Sequence, residues 1–195
     1  MKKTMLALAL SALMYASPAL AGVYDVDPDH TSIGFSVKHM VVSNVKGVFD
    51  KVTGTFTLDD KDQLTGAEAS IDAASVNTRN QKRDDHLRSP DFFDVAKFPQ
   101  VTFKAAAIKA HQVHYMVTGD LTIKGVTKPV KLTGEMVGKV KDPYGNTRAG
   151  FTAKGKINRK DFGVNFNALL ETGGLVVGDE VDLLLEIEGI ERKGE

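Results

Sequence analysis

The chain has 195 residues, with 25 basic and 25 acidic side chains, no cysteine and no tryptophan. Without thiols there are no disulfides, thiolate zinc sites or cysteine nucleophiles, and the balanced charge argues against nucleic acid, which selects a basic face. Residues 1–21 read as a secretory signal. Lys2 and Lys3 form a positive start, Met5 to Ala16 an apolar run, and Ala19-Leu20-Ala21 an A-x-A cleavage site. The run is short for a bilayer span, and no cysteine follows the cut to carry a lipid anchor. The expectation is export to the periplasm, with residues 22–195 forming one domain. Taking Lys2 and Lys3 from the 25 basic residues leaves 23 against 25 acidic, a net of −2.

From Tyr24 onward the apolar residues recur with period 2. Ile33, Phe35 and Val37 share one face of a strand predicted over Thr31 to Met40. Further strands follow at Val52–Leu58, Ala67–Ala73, Val101–Ala105, Val113–Ile123, Val130–Met136, Ala149–Ile157 and Val181–Ile187. Asp142-Pro143-Tyr144-Gly145-Asn146 is a strong turn signal between two of them.

One segment breaks the pattern, Asn77 to Pro99. Its first half, Arg79 to Arg88, is charged and predicts a helical turn capped by Thr78, with Asp84 placed four residues before Arg88 as a favourable ion pair. Ser89-Pro90 ends it, because the residue before proline is pushed out of the helical region. Its second half crowds Phe92, Phe93, Val95 and Phe98 ahead of Pro99. A polar helical turn joined to a phenylalanine cluster predicts a cap over a barrel end. Arg159 to Gly174 is a second irregular stretch, suited to the other side of the mouth.

Eight successive strands with short connections predict an all-β chain, an extended antiparallel eight-stranded barrel with a short helical cap insertion. Glycines inside strands, such as Gly54, Gly119, Gly134 and Gly155, fit the bends that closure requires. Inward positions mix alanine and glycine with phenylalanine, which either leaves room for a ligand or lets the sheet coil tightly. Gly125 and Gly173-Gly174 are places where a hinge would be permitted.

Several motifs together resemble the YceI-like family of polyisoprenoid-binding proteins. They are Tyr24-x-Val26-Asp27-x-x-His30-Thr31-x-Ile33-x-Phe35, then Arg83 to Pro99 followed by Phe103, then Gly119 to Thr127. Ile157-Asn158-Arg159-Lys160-Asp161-Phe162-Gly163 and Gly178-Asp179-Glu180-Val181 complete the set. The resemblance implies a lipocalin-like barrel whose lumen takes an isoprenoid lipid with a quinone or polyprenyl chain, contact with a membrane in passing, and a homodimer. Under it the lumen is assigned to Phe35, Val37, Phe56, Phe92, Phe93, Phe98, Phe103, Tyr115, Phe151, Phe162 and Leu183. Without it the same aromatic residues read as ordinary core. Arg83, Asp84, His86, Arg159 and Asp161 are candidates for a polar rim around a head group; equally, the arginines and Asp84 suit a network tying the irregular stretches to the barrel.

No metal, cofactor or catalytic group is expected. His111 and His114, an odd step apart, are read as facing opposite ways, and His30, His39 and His86 fall in separate elements. Asp84-Asp85-His86 reads as exposed charge on a solvated turn, with no nucleophile motif nearby. The leading reading is a lipid-binding protein of carriage or storage. A stress-related interaction protein that holds lipid incidentally, and an enzyme acting on a lipid through His86, Asp84 or Arg159, use the same residues.

Overall fold

The computed structural model describes residues 21–40, 42–168 and 176–193. Residues 1–20 of the predicted signal segment (1–21) and the Gly173-Gly174 pair lie outside them. The strands are β1 (Gly22–Val26), β2 (Ser32–His39), β3 (Ser43–Phe49), β4 (Val52–Leu58), β5 (Leu64–Asp72), β6 (Val76–Asn77), β7 (Gln100–His111), β8 (His114–Ile123), β9 (Val126–Lys141), β10 (Thr147–Asn158) and β11 (Val177–Glu191). A single helix, α1 (Gln81–Arg88), interrupts them among the described residues. At about 3.4 Å per residue the 15 residues of β11 span about 50 Å, so the barrel is long for its girth.

Eight strands close a ring in the order β1-β4-β5-β7-β8-β9-β10-β11, with β11 returning to β1, and every pairing is antiparallel. The predicted strand over Thr31 to Met40 is not a member of that ring. It is β2, and it extends the edge that β1 begins: Val26 pairs with Gly189 of β11, and Ser32 resumes opposite Glu186. Between them the chain breaks out in a single 3₁₀ turn. Asp27 N–H donates to the Glu188 carbonyl at 2.8 Å, and Glu188 N–H donates to Thr31 Oγ1 at 3.1 Å, so the break leaves the β11 edge satisfied.

This broken strand explains the architecture. Its first part continues the ring through β4, while its second part carries β3 and then the two-residue β6. β4 follows β3 after only Asp50 and Lys51, which are held by the bonds Asp50 N–H to the Ser75 carbonyl (3.1 Å) and Asp72 N–H to the Lys51 carbonyl (3.0 Å). The insertion begins where this edge ends, after β6. Three strands, β1, β3 and β6, escape the alternation reading. β1 and β6 are too short to show a period, and β3 places Gly47 inward and Val48 outward, which blurs it. Gly47 faces in because the Phe35 ring lies there; a Cβ at Gly47 would stand 2.4 Å from Phe35 Cζ.

Another expectation fails at the β7–β8 hairpin. His111 and His114 are directly opposed across the ladder, with Gln112 at φ +57 turning the chain. Opposed residues share a face, so the odd step in sequence does not separate them. His114 pairs instead with Glu135 at 3.5 Å.

Apolar side chains gather in two groups. Near the end carrying the turns 59–63 and 142–146, Tyr24 stacks on Phe56 (4.9 Å, 3° between planes), and Phe151 meets both Phe56 and Tyr115 edge-on. At the cap end, Val52, Ile71, Leu121 and Val130 pack against Phe92 and Phe162.

Candidate functional site

The cap is fixed by hydrogen bonds that its charged sequence conceals. Asn80, not Thr78, caps α1, its side chain accepting from Arg83 N–H at 3.1 Å. Thr78 has another use. Its N–H and hydroxyl both donate to Asp84 Oδ1, at 2.9 and 2.5 Å, and its hydroxyl and carbonyl oxygens accept from Arg83 Nε and Nη2 at 2.7 and 2.8 Å. Asp84 is thereby 6% exposed, which corrects both the solvated reading and the Asp84–Arg88 pair. Arg88 bonds Asp85 at 3.0 Å, and its Nε and Nη2 donate to the carbonyls of Ala74 and Val76. α1 is thus stapled to the segment around β6.

The second irregular stretch is held by one arginine. Arg159, 5% exposed, donates to the carbonyls of Gly178, Val164, Phe166 and Val177, and meets Asp179 at 3.3 Å. Burial draws its pKa below the ordinary arginine value, and Asp179 opposes that pull. The two irregular stretches meet at His86, whose ring stands edge-on between Phe92 (5.0 Å) and Phe166 (4.7 Å) while Nε2 bonds Asp91 at 2.8 Å.

Behind this joint lies an internal cavity of about 430 Å³, within the range of small-molecule sites. Ten of the eleven predicted lumen residues line it; Phe98 does not. Phe98 packs instead over the Lys124-Gly125 hairpin turn, where a Cβ on Gly125 would come within 2.6 Å of its ring. That tight turn, with both residues at positive φ, is a clamped corner. Of the polar candidates, Arg83, His86 and Arg159 reach the lining; Asp84 faces Thr78 and Asp161 is exposed on the 3₁₀ turn Arg159–Phe162. The sequence reading did not pick out Leu87, the apolar residue hidden in a charged helix, or Phe49, which bridges Phe35 and Phe93 at 5.9 and 5.6 Å. Spacing carried a signal for Phe49: Val45, Gly47 and Phe49 alternate.

A second polar cluster gathers at the strand break. Arg148 bonds Asp142 at 2.9 Å, Asp27 at 2.7 Å and Glu188 at 2.6 Å, and His30 Nδ1 lies 2.9 Å from Asp27. Asp27, His30 and Glu188 are close enough to share a cation, but the Arg148 guanidinium already lies between the two carboxylates. Hydrogen bonds from Arg148, Asn146 and Tyr144 hold Asp142 well below the usual carboxylate range. Burial pushes Asp27 up, yet the bonds from Arg148 and His30 outweigh it and leave the group depressed. The Asp27 bond raises His30 in turn.

A closed antiparallel barrel with an apolar lumen and a hydrogen-bonded cap defines a lipocalin-like class of protein. Within that class the chain belongs to the YceI-like family, whose domain matches residues 24–189. It is 43% identical over 197 residues to the UPF0312 protein plu2095 of Photorhabdus laumondii and 40% identical over 197 residues to Protein YceI of Escherichia coli O157:H7. Each alignment covers 99% of this chain and 100% of the relative. Among solved structures, the Campylobacter jejuni YceI protein superposes with a TM-score of 0.70 at 34% identity, covering 80% of this chain and 90% of that one. A polyisoprenoid binding domain from Saccharophagus degradans shares the fold, with a TM-score of 0.63 at 16% identity over 87% of this chain and 98% of that one.

Proposed function

We propose that this protein binds one long isoprenoid chain, of quinone or polyprenyl type, inside the barrel, and that it carries or stores that lipid in the periplasm without altering it. The observation that carries the reading is the cavity itself, an apolar lumen of about 430 Å³ bounded by Phe35, Phe56, Phe93, Phe103 and Leu183. The family and the lipid named for the Saccharophagus domain support an isoprenoid as the occupant. The signal-like residues 1–21 support export. Of the groups an enzyme would use, Asp84 is committed to Thr78 and Arg159 to backbone carbonyls, which favours binding over chemistry.

The test is native mass spectrometry of protein taken from its own periplasm, followed by solvent extraction of whatever is bound. A stoichiometric isoprenoid in the wild type, lost from Leu183→Gln with an unchanged circular dichroism spectrum, is the expected result. A wild-type protein that carries no isoprenoid, or a Leu183→Gln variant that keeps it, refutes the reading.

A further inference from the structure

One side of the cavity mouth is the tip of the β2–β3 hairpin. Lys38 and His39 line the cavity from β2 and Val45 from β3, with Val176 and Val177 facing them at the start of β11. The tip is fastened to β11: His39 pairs with Val177, and Met40 N–H donates to the Val176 carbonyl at 2.9 Å. Val42 is 82% exposed and Met40 39% exposed, the latter from a backbone φ of +48. That conformation is costly for a branched residue and more tolerable for an unbranched one. An aliphatic side chain so far out in water contributes nothing to the fold it belongs to.

Its neighbours say what it contributes to. Val45, Val176 and Val177 carry an apolar lining from this mouth, beside Lys38 and His39, to Val37 and Phe35 inside, so the exposed valine stands at the threshold of a passage whose inner wall is apolar. A long isoprenoid chain dissolves only in a lipid phase, so loading requires the mouth to meet one. Aliphatic residues beside a lysine whose stem can lie along them form the chemistry of an interfacial anchor. We infer that the β2–β3 tip is a membrane-docking element, which sets Val42 and Met40 into a phospholipid bilayer so that the chain passes Val45 and Val176 into the lumen. The inference rests on the isoprenoid reading above.

The opposite end of the barrel supplies the control. Val137, Val140 and Tyr144 are 69%, 63% and 86% exposed on the β9–β10 hairpin, far from the mouth. The experiment uses the mature protein and vesicles of phosphatidylethanolamine and phosphatidylglycerol doped with dansyl-labelled geranylgeraniol, following transfer of the probe to protein. The same probe is also offered from detergent micelles. Val42→Asp is expected to slow extraction from vesicles about tenfold or more, to bind the micellar probe as the wild type does, and to melt at the same temperature. Val137→Asp is expected to extract at the wild-type rate. Unimpaired extraction by Val42→Asp overturns the inference, as does an equal loss in Val137→Asp, which moves docking to the other end. A wild-type protein that takes the probe from neither source refutes the isoprenoid reading itself, and the docking element falls with it.

Discussion

Asp84 offers the sharpest test of how the cap is held. Its Oδ1 accepts the Thr78 N–H at 2.9 Å and the Thr78 hydroxyl at 2.5 Å, in a site 6% exposed. Asp84→Ala leaves the buried Thr78 N–H without an acceptor, at about 1–3 kcal/mol, and removes a charge-assisted bond besides. Together the loss is about 3 kcal/mol. At about 2–4 °C per kcal/mol for a chain of this size, the melting temperature falls by about 6–12 °C. Asp85, one residue on, is the matched control: exposed, and bonded among the described residues only to Arg88 and Gln81. Such a pair is worth about 0.5 kcal/mol, so Asp85→Ala shifts the melt by about 1–2 °C. Thermal unfolding followed by circular dichroism at neutral pH separates the two. An Asp84→Ala protein that melts within 2 °C of the wild type, or an Asp85→Ala protein that drops as far as Asp84→Ala, refutes the argument that burial and not charge count anchors the cap.

Three further outcomes follow from named contacts. Gly134→Ala sets a Cβ 2.1 Å from the Thr152 carbonyl oxygen and 2.9 Å from Ala153 Cα, both backbone, so the β9–β10 ladder must part; a loss of about 1–3 kcal/mol is expected in urea unfolding, and an unchanged midpoint contradicts it. Arg159→Met leaves the carbonyls of Val164 and Phe166 without that donor, and faster amide exchange confined to residues 160–168 and 176–180 is expected; uniform protection equal to wild type would count against the staple. At the strand break, Asp27 and Asp142 are depressed, so their contribution is present above about pH 4 and lost as pH falls through their folded values. His30 is raised, so its contribution is complete below about pH 6.5 and fades as pH climbs past its folded value. Stability is therefore expected to peak between these limits. Arg148→Met removes the one cation that, among the described residues, is bonded to all three carboxylates, so protonating them becomes favourable and the pH of maximum stability should move below that of the wild type; an optimum at the wild-type pH would show that the cluster is not coupled.

What the sequence made legible was whatever repeats along a strand. Period set Phe35, Val37, Tyr115 and Leu183 on one face of their strands, because a strand fixes alternate side chains to one face, and the family resemblance assigned that face to the lumen. What stayed hidden depends on pairing between distant segments. That β1 and β2 are one broken strand requires Glu188, more than 150 positions away, to bond Asp27 and Thr31. The burial of Asp84 likewise depends on Thr78 turning its N–H and hydroxyl toward the helix, which no local charge pattern encodes. His111 and His114 were misassigned because two residues of turn reverse the chain between them, and parity within one strand says nothing across a hairpin.

The committed polar groups have a consequence for recognition. Arg83 spends Nε and Nη2 on Thr78, Arg88 spends its guanidinium on Ala74, Val76 and Asp85, and Arg159 is surrounded by carbonyls. Around this mouth arginine builds the wall and has little capacity left for a head group. Under the proposed reading, affinity then comes from the tail. Burying about 500 Å² of apolar chain yields on the order of 10 kcal/mol before ordering and association costs, against about 1.5–3 kcal/mol for one charge-assisted head contact. Chain length should consequently govern binding more than head-group chemistry. Geranylgeraniol and its pyrophosphate are expected to bind within about tenfold of each other, while shortening the chain to geraniol should cost far more. Isothermal titration across those three ligands checks this, and a pyrophosphate preference beyond a hundredfold would show that an arginine at the mouth is available after all.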